Sequence, residues 1–262
     1  MKVYKKPIIL MDVMLEIDWY TILFVFVGWV IGGFVSGVSG LGAMMLALPI
    51  LSIVLTAHDA ILTCCIVAFP CCIQLAWNYR KSVYWPDMKT LWLSCIPGCI
   101  AGTAVLKIAP VNLLQLSISL LIATFVLLEC LRTKTRFCLK DSVPALALAG
   151  AASGFTGSAV SIVGVPMGIF VLLTRWDMDR ARGTMSMFFL LCTLITVLTQ
   201  WFSGLYSLYL IKLSLIGTLG CVLGQDIGYR VGKHICQKTF VLFVLCFLTC
   251  AAIVLFSKGL FG

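Results

Sequence analysis

The sequence predicts an all-α polytopic membrane protein with about eight transmembrane spans, laid out as two duplicated four-span halves whose first spans are interrupted. Three observations predict it. Of the 262 residues, 61% are hydrophobic and 11% charged, with a mean hydropathy of +1.10. A soluble domain of this length does not need so much apolar surface, whereas about 20 consecutive apolar residues cross a bilayer as a helix. The apolar runs are long and continuous, where barrel strands would alternate over roughly ten residues. The third observation is an internal repeat. Ser36-Gly37 leading to Pro49 recurs as Ser153-Gly154 leading to Pro166, without a gap, at an offset of 117.

Residues 1–18 carry Lys2, Lys5 and Lys6, then Asp12, Glu16 and Asp18. That order reads as a short cytoplasmic or interfacial segment and not as a cleavable signal peptide. The first repeat, 19–131, opens with a span over Trp19–Ser36, a pause at Gly37–Gly42 and a short helix over Ala43–Leu55. Glycine at 37, 40 and 42 weakens a helix by up to about 1 kcal/mol per residue. Further spans follow at Asp59–Tyr79, Met88–Leu106 and Asn112–Leu131. A basic linker, 132–143, holds Arg132, Lys134, Arg136 and Lys140. The second repeat, 144–262, repeats the plan with Val143–Thr156 and Ile162–Leu173 as the interrupted pair, then Asp179–Phe202, Leu205–Gly224 and Thr239–Phe256. The match extends past the pauses: Ala60 and Thr63 align with Ala181 and Thr184 at 121, and Gly98 and Gly102 with Gly220 and Gly224 at 122. Ser94-Gly98-Gly102 and Gly220-Gly224-Gly228 recur every four residues and read as helix-contact ridges.

Two topologies stay open. If each interrupted pair is one crossing, the halves are parallel, and Lys2–Lys6, Arg80–Lys89 and Arg132–Lys140 share the cytoplasmic side. If the pairs are hairpins, the halves are inverted. The charges favour the parallel arrangement, although it leaves Arg175, Arg180, Arg182, Arg230 and Lys233 outside.

The net charge of +9 is met by the positive-inside rule, so no nucleic-acid partner is expected. Among the 13 cysteines, Cys64, Cys65, Cys71, Cys72, Cys95, Cys99, Cys192, Cys246 and Cys250 fall inside spans and read as small hydrophobes. The neighbours Cys64-Cys65 and Cys71-Cys72 point about 100° apart on a helix, which suits chelation poorly; no metal is expected. Gly37-Val38-Ser39-Gly40 resembles the nucleophile motif of rhomboid intramembrane proteases, yet no later span offers a histidine base and the second copy has Thr156 there. No catalytic residue, nucleotide motif or cofactor is expected.

The expected substrate site lies at the pauses. A helix that starts inside the membrane presents unpaired N–H groups and a partial positive charge. Two such starts, one per half, would hold an anion without a buried cation. The candidates are Ser36, Gly37, Ser39, Gly40 and Gly42 in the first copy and Ser153, Gly154, Thr156, Gly157 and Ser158 in the second, with Ser161 adding a hydroxyl. Thr63, Gln74, Asn78, Thr184 and Gln200, with Thr196 and Thr199 on the same stretch, read equally as pathway lining or as internal hydrogen-bond glue, and Lys212 as a side chain that snorkels or serves an anion pathway.

From about Val30 to the last span, the pattern resembles the sulfite exporter TauE/SafE family, whose first motif runs glycine-rich to an apolar stretch and Pro. Gly33, Ser36, Gly37, Gly40, Gly42 and Pro49 fit it, while Ala43 and Met44 replace glycines. In the second copy Ser153, Gly154, Gly157 and Pro166 fit, and Ser158, Ala159 and Val160 stand where glycines often stand. The resemblance implies a multi-pass permease for small sulfur-containing anions, sulfite or organosulfonates, resident in the plasma (inner) membrane and working by alternating access. A coupling ion, proton or sodium, and a homo-oligomer are the further partners to look for beside substrate and lipid. The alternative is a channel or an accessory membrane subunit.

Overall fold

The computed structural model describes residues 18–39, 43–131, 142–174, 176–232 and 237–261. Among these, the chain is helical throughout its ordered elements: α1 (Trp19–Ser39), α2 (Ala43–Leu51), α3 (Ala57–Tyr79), α4 (Trp85–Ile108), α5 (Val111–Leu131), α6 (Val143–Val160), α7 (Gly164–Thr174), α8 (Met178–Phe202), α9 (Leu208–Gly232) and α10 (Gln237–Phe261). Six of them, α1, α3, α4, α6, α8 and α9, are long and apolar enough to cross a membrane. The 21 residues of α5 and 25 of α10 include the apolar stretches Val111–Leu127 and Val244–Gly259. The nine residues of α2 and eleven of α7 give helices of only about 14 and 17 Å at 1.5 Å per residue.

Local chemistry sets the starts. Thr56 Oγ1 accepts the Asp59 N–H at 3.2 Å and caps α3, and Asp177 Oδ2 accepts the Asp179 N–H at 3.3 Å at the head of α8. Pro86 and Pro144 stand in the first turns of α4 and α6, where a missing N–H costs nothing.

Facing residues fix the helix directions. Along α1, Phe26 lies against Gly220, Val30 against Gly224 and Phe34 against Gly228, so α1 and α9 run parallel. Ser94 meets Gly150, Cys95 meets Gly154 and Phe155 meets Gly102, which makes α4 and α6 parallel too. Both contacts are zipped by the glycine ridges: a Cβ on Gly98, Gly102, Gly224 or Gly228 would strike a carbonyl oxygen of the facing backbone. Backbone-to-backbone approach of this kind is open only to residues without a side chain. In contrast, α3 and α8 are antiparallel, with Cys65 beside Gln200 and Cys72 beside Thr193, and so are α5 and α10, with Ser119 beside Ala252 and Asn112 beside Gly259. Finally α3 runs with α9, through Val67–Gly217 and Cys71–Cys221, and α4 runs with α8, through Cys99–Thr196 and Thr103–Thr199.

Of the two topologies left open, these directions go against the one the charges favour, in which each interrupted pair is one crossing. Because α1, α9 and α3 are parallel, the chain must return between the end of α1 and the start of α3. It does so along α1: Gly32 faces Ala43 and Ala47, and Gly28 faces Ile50 and Leu51. Likewise α6, α4 and α8 are parallel, so α7 returns from the end of α6. Sequence hydropathy shows an apolar segment resuming after a pause; it does not show which way.

One face of the bundle then gathers the ends of α1, α3, α5 and α9 with the starts of α4, α6, α8 and α10. Arg80, Lys81, Lys89, Arg180, Arg182 and Arg230 all lie there, and so do Leu131 and Ser142, which flank the basic linker. Arg180, Arg182 and Arg230 therefore share a side with Arg80 and Lys89, against the parallel reading. Large aromatics mark both rims: Trp77 and Trp85 at this face, Trp19, Tyr20, Trp201 and Phe202 at the other, all exposed.

The pauses also sit later than expected. Helix α1 continues through Gly37 to Ser39, and α6 continues through Thr156, Gly157 and Ser158 to Val160. The second turn falls at Ser161, in the left-handed conformation (φ 59°, ψ 24°). Its N–H donates to Gly157 O at 2.9 Å, and Thr156 Oγ1 donates to Ile162 O at 2.8 Å, so orphan carbonyls at the helix end are met locally. Helix packing outweighs the weak propensity of these glycines. Gly40 and Gly42 lie outside the described residues.

Candidate functional site

A cavity of about 100 Å³ lies between the two returns. Its wall on the first half is Ser36 of α1, the first turn of α2 (Ala43, Met44, Met45) and the α3 stripe Cys65, Ala68, Cys71, Cys72 and Leu75. On the second half it is Gly157 of α6, the turn Ser161–Val163, Gly164 at the head of α7, and Phe189, Thr193 and Thr196 of α8. Among the described residues that line it, none is charged. Both short helices begin at this cavity: Ala43, Met44 and Met45 of α2 and Gly164 of α7 line it. N–H groups in the first turn of a helix have no intrahelical acceptor, although Pro166 in α7 has none to offer. Pro49 has no N–H to donate to the carbonyl of Met45, four residues back, and leaves that acceptor without its helical partner.

Toward the face where α8 ends, the cavity is closed by hydrogen bonds. Gln200 is fully buried one turn beyond Thr196. Its Nε2 donates to Ser158 O at 3.0 Å and to Cys65 Sγ at 3.5 Å, and its Oε1 accepts from Tyr206 Oη at 2.5 Å. Ser158 Oγ and Thr196 Oγ1 share a 2.9 Å hydrogen bond on the same level. Tyr206 lies in the α8–α9 turn, where burial pushes its phenol well above the usual value and keeps it a donor. Toward the opposite face, Asp87 of α4 accepts from Arg180 of α8 at 2.5 Å, and that guanidinium lies 4.4 Å over the Tyr84 ring and 4.2 Å over the Trp176 ring.

Of the residues expected from sequence, Ser36, Gly157, Ser161 and Thr196 reach the cavity wall, and Ser158 and Gln200 stand immediately behind it. Others have different work. Gly37 is pressed against the α9 backbone at Gln225–Gly228, and Gly154 against Cys95 of α4. Ser153 is fully buried outside the wall, and Thr156 caps the end of α6. The backbone of Ser39 ends α1; its side chain lies outside the described set. Thr63 and Gln74 are on α3 but not on the stripe that faces the cavity, and Asn78 is exposed near the end of that helix. Thr184 accepts the Tyr84 N–H at 3.1 Å and ties α8 to the α3–α4 turn. Lys212 is buried near the start of α9, away from the wall. Asp226 pairs with Arg230 at 2.8 Å, four residues on.

The chamber between the two short helices is uncharged and mostly apolar, with hydroxyls from Ser36, Ser161, Thr193 and Thr196 and thiols from Cys65, Cys71 and Cys72 set into its wall. Residues 24–255 match the family model described as Sulfite exporter TauE/SafE. The chain belongs to the TauE/SafE family. No curated protein and no solved structure matched it. Membership makes it an integral multi-pass membrane protein of a transport family.

Sequence reasoning missed the part of the TauE/SafE cavity that α3 and α8 supply. Cys65, Ala68 and Cys72 recur at helical spacing, as do Phe189, Thr193 and Thr196, and each set marks one face. Reading cysteines as adjacent pairs hid the first stripe. The second was visible only through Thr196.

Proposed function

We propose that this TauE/SafE protein is a secondary transporter that exports small sulfur-containing anions, such as sulfite or organosulfonates, by alternating access. The observation that carries the reading is the cavity bounded by the first turns of α2 and α7. Each start offers free N–H donors and the positive end of a helix, and no buried cation is needed to hold a negative charge. An uncharged chamber also lets the anion leave again, which a strong ion pair would hinder.

The mechanism rests on two inverted halves, α1–α5 and α6–α10. The packing supports them: exchanging α1 with α6, α2 with α7, α3 with α8, α4 with α9 and α5 with α10 leaves the pattern of main helix contacts unchanged. The antiparallel pairs α3–α8 and α5–α10 are the ones such an exchange maps onto themselves, which fits an axis in the membrane plane. The positive-inside rule places the Arg80/Arg180/Arg230 face in the cytoplasm. The Gln200–Tyr206–Ser158 cluster then closes the outer side and the Asp87–Arg180 pair, formed in the same structure, stands toward the cytoplasmic side; alternating access opens one of the two while the other holds.

Purified protein in liposomes, assayed with sulfite, sulfate, thiosulfate, sulfoacetate and taurine, tests this. Saturable flux of a sulfur oxyanion that responds to an imposed proton or sodium gradient is expected. Ohmic conductance without saturation would make the protein a channel, and no flux of any of the five would overturn the reading.

A further inference from the structure

Behind the cavity wall, three thiols from two helices converge. Cys95 and Cys99 are four residues apart on α4, and Cys192 comes from α8. Their Sγ atoms all lie within 4.8 Å of one another, with Cys95 and Cys99 at 3.5 Å, and all three residues are buried. The obstacle to chelation by adjacent cysteines does not apply. Positions i and i+4 share a helix face, and the third ligand arrives from the facing helix. Gly154 allows the approach: a Cβ there would sit 2.5 Å from Cys95 O and 3.1 Å from its Sγ. The cluster stands directly behind the cavity wall, because Thr196, which lines the cavity, lies 3.5 Å from Cys99 Sγ.

We propose that Cys95, Cys99 and Cys192 form a binding site for a soft monovalent d¹⁰ cation, Cu(I) or Ag(I), reached from the cavity past Thr196. Thiolates select soft ions. With metal–sulfur bonds of about 2.3 Å, a trigonal site needs sulfurs about 4 Å apart, which small rotamer shifts of the three side chains reach. Zinc fits less well, since it asks for four ligands and the nearest other groups are hydroxyls and backbone carbonyls. Binding changes no oxidation state. All three thiols lose their protons, which leave through the cavity to water, because the thiolate is the form that ligates; with one monovalent cation the occupied site carries two negative charges. The Thr196 hydroxyl can donate to Cys99 Sγ while accepting from Ser158 Oγ at 2.9 Å, which offsets part of that charge. The ion would join α4 to α8 on the wall side of the cavity.

Copper(I) alone is the probe. Purified protein in detergent, fully reduced and kept anaerobic, is loaded with Cu(I) and challenged with a chromophoric Cu(I) chelator. One ion per chain should resist the chelator, and X-ray absorption should give a first shell of three sulfurs. Cys99→Ser and Cys192→Ser should each lower retention at least tenfold, whereas Cys246→Ser and Cys250→Ser, at exposed thiols, should not. Full stripping of the unmodified protein, a shell with fewer than three sulfurs, or loss that follows Cys246→Ser or Cys250→Ser instead of Cys99→Ser would overturn the assignment. The absorption measurement needs no variant, so it decides even if a substitution prevents folding.

Discussion

Gly157 and Gly154 are one turn apart on α6 and answer the same substitution differently. A Cβ on Gly157 would meet the end of the Val163 side chain at 2.7 Å, with nothing else closer than 3.6 Å. A Cβ on Gly154 would meet backbone, Cys95 O at 2.5 Å and Cys99 N at 3.2 Å. Leucine adds four carbons, and at roughly 30 Å³ for each water-sized group they claim on the order of 100 Å³. Placed beside Val163 in the wall, that bulk takes a large share of the space open to substrate. Gly157→Leu should therefore cut anion flux in proteoliposomes more than about tenfold while the protein inserts and melts like the parent, since losing a helical glycine returns up to about 1 kcal/mol. Gly154→Leu should instead force α4 and α6 apart, with overpacking of about 1–3 kcal/mol or more, and show as lost monodispersity and a lower melting temperature. Gly157→Ala gives an intermediate flux. Normal saturable flux in Gly157→Leu would refute the site, and equal misfolding of both leucine variants would refute the distinction between wall and ridge.

Three further outcomes follow from the closures. Gln200→Leu strands the Ser158 carbonyl and the Tyr206 hydroxyl, at about 1–3 kcal/mol per buried group. Thermal melting should drop and maleimide labelling of Cys65, read by peptide mass spectrometry, should rise. Tyr206→Phe tests linkage: with the folded phenol pushed above its ordinary value near 10, its contribution is complete below pH 10 and fades as pH rises past it. Parent stability should thus fall more steeply above pH 10 than that of Tyr206→Phe, and parallel curves would remove Tyr206 from the closure. Arg180→Lys keeps the charge but loses the planar stack on Tyr84 and Trp176. A loss of about 1–2 kcal/mol is expected, in line with a hydrogen bond to a charged group plus ring contact, and an unchanged melting temperature would dismiss the latch.

The site was partly legible because hydroxyl and glycine residues stand out in an apolar run. Ser36, Gly157, Ser161 and Gln200 were visible on that ground. Gly37 and Gly154 carry the same signal for a different reason: a residue without a side chain serves a helix break and a backbone contact equally, and only the facing helix tells which. Cys65 and Cys72 gave no polar signal, since a buried thiol looks like any small hydrophobe. Thr184 and Lys212 looked like pathway residues from their depth in a span. Depth fixes the level in the membrane, while the helix face that meets the cavity depends on how α8 and α9 rotate in the bundle.

The sequence by itself determined that this chain is a helical membrane protein of the TauE/SafE family, because hydropathy and the glycine motifs are local properties. It also contained the ridges at Gly98–Gly102 and Gly220–Gly228, whose four-residue spacing needs no partner to be read. Tertiary structure alone decided that α2 and α7 turn back, that α1 pairs with α9 and α4 with α6, and that three thiols meet behind the cavity. Direction is a long-range property. An apolar segment after a pause is equally content running on or running back, and the choice is made by which backbone can come close enough to bury it.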